Sequence, residues 1–239
     1  MSMREDGNDV VEQSWSRVPT RTAYREVREN IGTLIGQFPS SSTRTVPACP
    51  EWTVHDLVEH LVEICRMGIG LLGGPAHPPP TDDVDGINGL LRSWRHLAEC
   101  LDEQLGETSD EPGNFLVMDA FTHECDLRRA LDAPAPANHS ACPTALDTLA
   151  RTFSKSVSRH HLPALRMETG KETWIAGRGT PAATVRGSHY DLARSLACRR
   201  TAGQINELCW SADPAPWLPA FERGPFTLPP HETENLVGD

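Results

Sequence analysis

CPEWTVHDLVEHLVE, Cys49 to Glu63, holds two histidines five residues apart among four carboxylates. Thr53 is a good helix N-cap, and Asp56, three residues on, is the acidic partner of a capping box. A helix therefore starts here. At 100° per residue, Val54, Leu57, Val58, Leu61, Ile64 and Cys65 fall within about 120° and form its buried stripe. His55, Glu59 and Glu63 point to the far side, where a charged face keeps the helix solvated. His60 lies about 40° beyond Ile64, at the border of the stripe, where a side chain can reach an interior.

Working outward, TAYREVRENIGTLIGQF sets Val27, Ile31, Leu34, Ile35 and Phe38 at helical spacing, and Pro39 with a serine run ends it. The segment with Pro47 and Pro50 is expected to be a loop, as is GGPAHPPPTDDVDG, Gly73 to Gly86. INGLLRSWRHLAECLDEQL and NFLVMDAFTHECDLRRAL give third and fourth helices, and APAPANHSACP a turn-rich link. Four helices with intervening loops predict a bundle over residues 19–144, after a polar, disordered start at 1–18.

Residues 145–239 differ in character. TALDTLARTFSKSVSRHHL reads as helix, ETWIAG and AATVRG as short strands, and SHYDLARSLACRRTAG as a helix capped by Ser188 and Asp191. The expected fold class is α+β: an N-terminal four-helix bundle followed by a small α/β domain.

Composition narrows the function. A net charge of −11 over 239 residues disfavours nucleic acid, which rewards a basic face. Seven cysteines with no CxxC pair give neither a disulfide framework nor a zinc ribbon, as expected of a reducing cytoplasm. No apolar run approaches the length that spans a membrane. A soluble cytoplasmic protein is the expectation.

The fourth helix carries the chemistry. Leu116, Ala120, Leu127, Ala130 and Leu131 form its apolar face, and His123 falls inside that face. Asp119 lies one turn earlier, so the two side chains meet at i and i+4. Polar groups on an apolar face need partners. Either Asp119 and His123 satisfy each other, or they join His60 around a divalent metal, since two histidines and a carboxylate suit zinc and other first-row ions. Glu124 points about 100° away from His123. Asp126, three residues after His123, is placed to orient a neighbour as carboxylates behind metal ligands do.

VPACPEWTVHDLVEHL, with the helix before it, resembles the mycothiol-dependent maleylpyruvate isomerase family of the DinB-like metalloenzyme superfamily. DAFTHECDLRRAL resembles that family's second metal helix, and GSHYDLARSLACRR and FERGPFTLPP more loosely resemble its C-terminal domain. The likeness spans roughly residues 20 to 232. It implies a DinB-like bundle binding one divalent metal, usually zinc, through His60, Asp119 and His123. The family's carboxylate is commonly Glu. Asp119 is one methylene shorter, which leaves open a metal drawn closer to this helix, a weaker one, or none.

The resemblance further implies mycothiol, an actinobacterial thiol, as cosubstrate. A free thiol has a pKa near ~8.5, and a metal's charge deprotonates it. The thiolate can add to an electrophilic small molecule. Reversible addition to a double bond gives cis–trans isomerisation, and addition that stops there is S-transfer. Arg199, Arg200 and Arg223 are candidates for gripping an acidic substrate, since a guanidinium pairs carboxylates bidentately. Two other functions share this scaffold: a hydrolase in which the metal activates water, and a non-catalytic thiol- or small-molecule-binding protein with a degenerate site.

Overall fold

Apolar residues at helical spacing fold the first half of the chain into four helices: α1 (Thr20–Gln37), α2 (Val54–Leu71), α3 (Gly86–Gln104) and α4 (Glu111–Ala130). This is a computed structural model, and it describes residues 17–73, 86–105, 111–136, 138–224 and 226–237. The expected disorder at the N-terminus, up to residue 16, and the expected loop at residues 74–85 lie outside the described residues. Helix α2 packs on α3 and α4, and α1 packs on α4. Val27, Ile31, Leu57, Leu61, Leu97, Leu101, Leu116 and Leu127 fill the space between them. Trp94 is buried too, and its Nε1 donates to the Tyr24 hydroxyl at 3.1 Å, so the single polar group of each ring has a partner inside. Gly68 lets α2 approach α4: a Cβ there would lie 2.7 Å from Leu116 Cδ1. Ile64, expected inside the stripe of α2, is only partly buried, and Val62 is buried instead.

The capping box of α2 is present. Thr53 Oγ1 accepts from the Asp56 backbone N–H, and the Asp56 carboxylate accepts from the Thr53 N–H at 2.8 Å. The Pro47–Pro50 segment corrects the sequence reading. It is not simply a loop but an antiparallel hairpin, β1 (Thr45–Val46) with β2 (Cys49–Thr53), pairing Val46 with Cys49 and Thr45 with Thr53. A strand this short can carry Pro50 because few ladder donors are asked of it. The hairpin runs straight into α2.

The supposed link before residue 145 is also partly helical. Helix α5 (Ala141–Arg159) takes in Ala141, Cys142 and Pro143, with proline in the first turn, where no N–H partner is missed. Ser140 makes no side-chain cap there. The Nδ1 of His139 accepts from the Ala141 N–H instead. Ala141, Cys142 and Ala145 lie in the core of the bundle, whereas Leu146, Leu149, Phe153 and Val157 lie in a second core.

That second core is roofed by a four-stranded sheet ordered β4-β3-β5-β6, built from β3 (Leu165–Glu168), β4 (Thr173–Ala176), β5 (Ala183–Arg186) and β6 (Cys209–Trp210). Strands β3 and β5 run parallel and the other neighbours antiparallel. Helices α6 (His189–Leu196), α7 (Ala202–Glu207) and α8 (Leu218–Phe221) complete it. Ser188 caps α6 by accepting from the Asp191 N–H. The helix expected through residue 203 ends at Leu196, because Cys198 turns to φ 59° and breaks the repeat. The chain then returns along α6, where the Val237 N–H donates to the Asp191 carboxylate.

Candidate metal centre

The phases of α2 and α4 bring His60, Asp119 and His123 together. One donor atom from each lies within 4.8 Å of the others. His60 Nε2 is 3.4 Å from Asp119 Oδ2, and His123 Nε2 is 3.8 Å from Asp119 Oδ1. The two imidazoles cross edge to face with centroids 4.9 Å apart. His60 Nε2 and Asp119 Oδ2 are buried atoms without a hydrogen bond. The bland alternative, a carboxylate satisfied by hydrogen bonding to His123, is not the arrangement found.

His123 spends its other nitrogen elsewhere. Its Nδ1 lies 3.1 Å from Asp126 Oδ2. An ionised carboxylate only accepts, so this contact assigns a proton to Nδ1; in the neutral ring Nε2 then carries the lone pair, and it faces Asp119. Asp126 is fully buried and held by two guanidiniums. Arg194 Nη2 donates to Oδ1 at 2.6 Å, and Arg199 Nη2 to Oδ2 at 2.9 Å. Burial works against the charge on Asp126, but Arg199, Arg194 and the His123 N–H outweigh it and hold the carboxyl well below the usual carboxylate range.

Strand β2 supplies two residues that sequence reasoning did not assign. The Trp52 ring covers both imidazoles, with centroids 5.0 Å from His60 and 5.8 Å from His123. Cys49 Sγ lies within 4.8 Å of donor atoms of His123 and Asp126, and it accepts from Arg199 Nη2 at 3.6 Å. Burial pushes this thiol up, and Arg199 offsets that only in part. With the guanidinium already at that spot, Cys49, His123 and Asp126 do not suit a cation. Read as a hairpin, the CPEW stretch would have pointed to both residues. The third cluster of donors, His55, Asp56 and Glu59, sits on the outer face of α2, and its Asp56 serves the helix cap.

The three arginines expected to grip substrate are placed otherwise. Arg199 reaches the centre from behind, with its guanidinium committed to Asp126, Cys49 and the Ala197 carbonyl. Arg200 is fully buried and pairs with Asp191 and Glu234. Arg223 donates to the Leu196 carbonyl. The structure thus brings Arg199 to the three clustered residues, through Asp126, and ties Arg200 and Arg223 into the second core. Glu124, turned away from His123 as its phase predicts, is buried on His139 at 2.8 Å and on Arg128 at 2.7 Å.

Comparisons with known proteins agree with this architecture. The family model described as mycothiol maleylpyruvate isomerase N-terminal domain matches residues 24–137, which contain all three clustered residues. A crystal structure of the mycothiol-dependent maleylpyruvate isomerase superposes with a TM-score of 0.56 at 17% identity, covering 81% of this chain and 92% of that one. A histidine-to-alanine mutant of the same isomerase superposes with a TM-score of 0.55 at 16% identity over the same shares. No curated protein matches the chain in sequence. Among the described residues, no helix is long and apolar enough to cross a membrane.

Proposed function

From the match of residues 24–137 to the model of the mycothiol maleylpyruvate isomerase N-terminal domain, we propose that this chain is a metal- and thiol-dependent enzyme acting on an electrophilic small molecule. The observation that carries the reading is the convergence of His60 Nε2, His123 Nε2 and the Asp119 carboxylate with no hydrogen bond at His60 Nε2 or Asp119 Oδ2. Three acceptors at this separation repel one another unless a proton or a cation lies among them. Two imidazoles and one carboxylate are a donor set that fits zinc and its neighbours, and three protein ligands leave a position open.

A divalent cation held there supplies the positive charge that keeps a thiol ionised at neutral pH. The chain's own residues do the rest. Asp126 fixes the proton of His123 on Nδ1 and so keeps Nε2 available as a ligand. Arg194 and Arg199 keep Asp126 ionised inside the protein. Trp52 gives the two imidazoles an apolar wall that excludes water from that side. The side chains of His60 and Asp119 are 24% and 16% exposed, so the centre opens past them.

The nearby thiol of the chain does not suit the role of nucleophile. Cys49 lies on the Asp126 side of His123, and burial keeps it protonated. This supports an external thiol, for which mycothiol is the candidate by family. Addition of its thiolate sulfur to a conjugated double bond forms a C–S bond as the π pair moves into the conjugated carbonyl; rotation about the resulting single bond follows, and return of that pair expels the thiolate and restores the double bond as the trans isomer. The same addition, completed by uptake of a proton from water at the neighbouring carbon, is S-transfer.

The test is titration of mycothiol into protein loaded with cobalt, read by the metal's visible absorption. A new sulfur-to-metal band at millimolar thiol supports the reading. A spectrum unchanged by thiol but shifted by pH favours activation of water, and protein that takes up no metal leaves a non-catalytic binding protein.

A further inference from the structure

The carboxy-terminal segment reaches the back of the centre. Glu234 is buried, and its Oε1 accepts from Arg194 Nε at 2.7 Å. The same guanidinium donates from Nη2 to Asp126 Oδ1 at 2.6 Å and from Nη1 to the Thr122 carbonyl at 3.1 Å. Asp126 in turn holds His123 Nδ1. Three links therefore join Glu234, Arg194, Asp126 and His123 in that order. A guanidinium is planar and its donors are fixed relative to one another. Glu234 thus sets the plane from which Arg194 addresses Asp126.

Neighbouring contacts fix Glu234 itself. Its second guanidinium partner, Arg200 Nη1, lies 2.6 Å away, Tyr190 Oη donates to Oε2 at 3.3 Å, and Gln204 Nε2 donates to its backbone carbonyl. The turn on either side is held as well, since Arg129 of α4 donates to the Thr233 carbonyl and the Val237 N–H to Asp191. The segment is docked through charge, and the Glu234 carboxylate is aimed at the arginine that supports His123.

We infer that Glu234 is a positioning residue for the centre: through Arg194 and Asp126 it fixes the tautomer and orientation of His123. The inference rests on the metal reading for its purpose, but its structural content, the state of His123, holds without any metal. It also gives the C-terminal domain a role in a site whose proposed ligands all lie in the bundle.

The test uses the full-length chain and two readouts. Nitrogen-15 NMR of histidine-labelled, metal-free protein reports which ring nitrogen of His123 carries the proton, and competition with a chelating dye reports the zinc dissociation constant. In the wild type the Nδ1–H form is expected to dominate. In Glu234→Gln the Nε2–H form is expected to appear and the dissociation constant to rise, by less than the roughly 10–100-fold typical of losing a carboxylate that supports a metal-bound histidine, the change expected for Asp126→Asn. Glu232→Gln, a neighbour exposed to solvent, removes the same charge from the segment and is expected to change neither. If Glu234→Gln does not fold, Glu234→Asp keeps the charge while drawing the carboxylate back from Arg194, with a smaller change in the same direction. A variant of Glu234 that loses thermal stability yet keeps the wild-type tautomer and zinc affinity overturns the inference. Wild-type protein that binds no zinc overturns the metal reading alone, and the tautomer then decides this one.

Discussion

His60 Nε2 and Asp119 Oδ2 face each other across 3.4 Å, and neither makes a hydrogen bond. The contact joins α2 to α4 where both helices turn ionisable groups inward. A buried carboxylate oxygen and a buried imidazole nitrogen that make no hydrogen bond cost stability in the metal-free protein. That cost predicts how the two residues respond to substitution.

Asp119→Asn keeps the shape, removes the charge and offers an N–H to His60. The metal-free variant is expected to be as stable as the wild type or up to about 1 kcal/mol more so, the worth of one net hydrogen bond. Its zinc affinity is expected to drop sharply. Melting curves recorded with and without zinc check both halves, and a metal-free variant that melts well below the wild type contradicts the first.

His60→Ala removes one of the three proposed ligands. In the wild type, zinc at a hundred times its dissociation constant adds about 2.7 kcal/mol by mass action. For a chain of this size that is a rise in Tm of about 5–10 °C. The variant is expected to show little of it, and a full-sized shift would remove His60 from the ligand set.

Asp126→Asn strands two buried guanidiniums. Breaking a buried ion pair costs about 3–5 kcal/mol, and this loss is expected at pH 7 in urea unfolding. The pH dependence has a definite sign. The folded carboxyl of Asp126 is held below its unfolded value, so its contribution is fully present above the ordinary carboxylate pKa of about 4 and is lost as pH falls through the depressed folded value. The gap between wild type and variant should stay constant from pH 7 to 5 and narrow only in stronger acid. A gap that closes by pH 5 contradicts the assignment.

Two helical glycines should respond oppositely to alanine. At Gly32 a new Cβ meets nothing within 4 Å, so Gly32→Ala is expected to stabilise α1 by about 0.5–1 kcal/mol. At Gly68 the Cβ would meet Leu116 side-chain atoms at 2.7 and 2.9 Å in a buried contact. Overpacking of this kind costs about 1–3 kcal/mol and outweighs the helical gain. Chemical denaturation of the two variants side by side tests the contrast.

The bundle and the three clustered residues were legible because both follow from local periodicity. The phase of α2 left His60 alone at the border of the stripe, and the phase of α4 put Asp119 beside His123. What lay beyond reach depended on pairing between distant segments. Trp52 and Cys49 join the centre only because the Pro47–Pro50 segment folds as a hairpin, and two prolines hid its alternation. Arg199 was singled out for a substrate, yet its partner is Asp126, 73 residues earlier in the chain. Local pattern gives an arginine a place on a helix face or a loop but does not say which carboxylate it will meet. Glu234 carried no signal at all, being one acidic residue in a polar tail. The end of α6 was missed because a cysteine at positive φ has no sequence signature.

Helix α5 contributes its first turns to one apolar core and the remainder to the other. A single rigid rod therefore serves as a tenon seated in both halves, and neither half can be cut away without baring an oily face of the other. Proteolysis within the rod should leave two fragments that cling together or precipitate, and amide exchange along it should be among the slowest in the molecule.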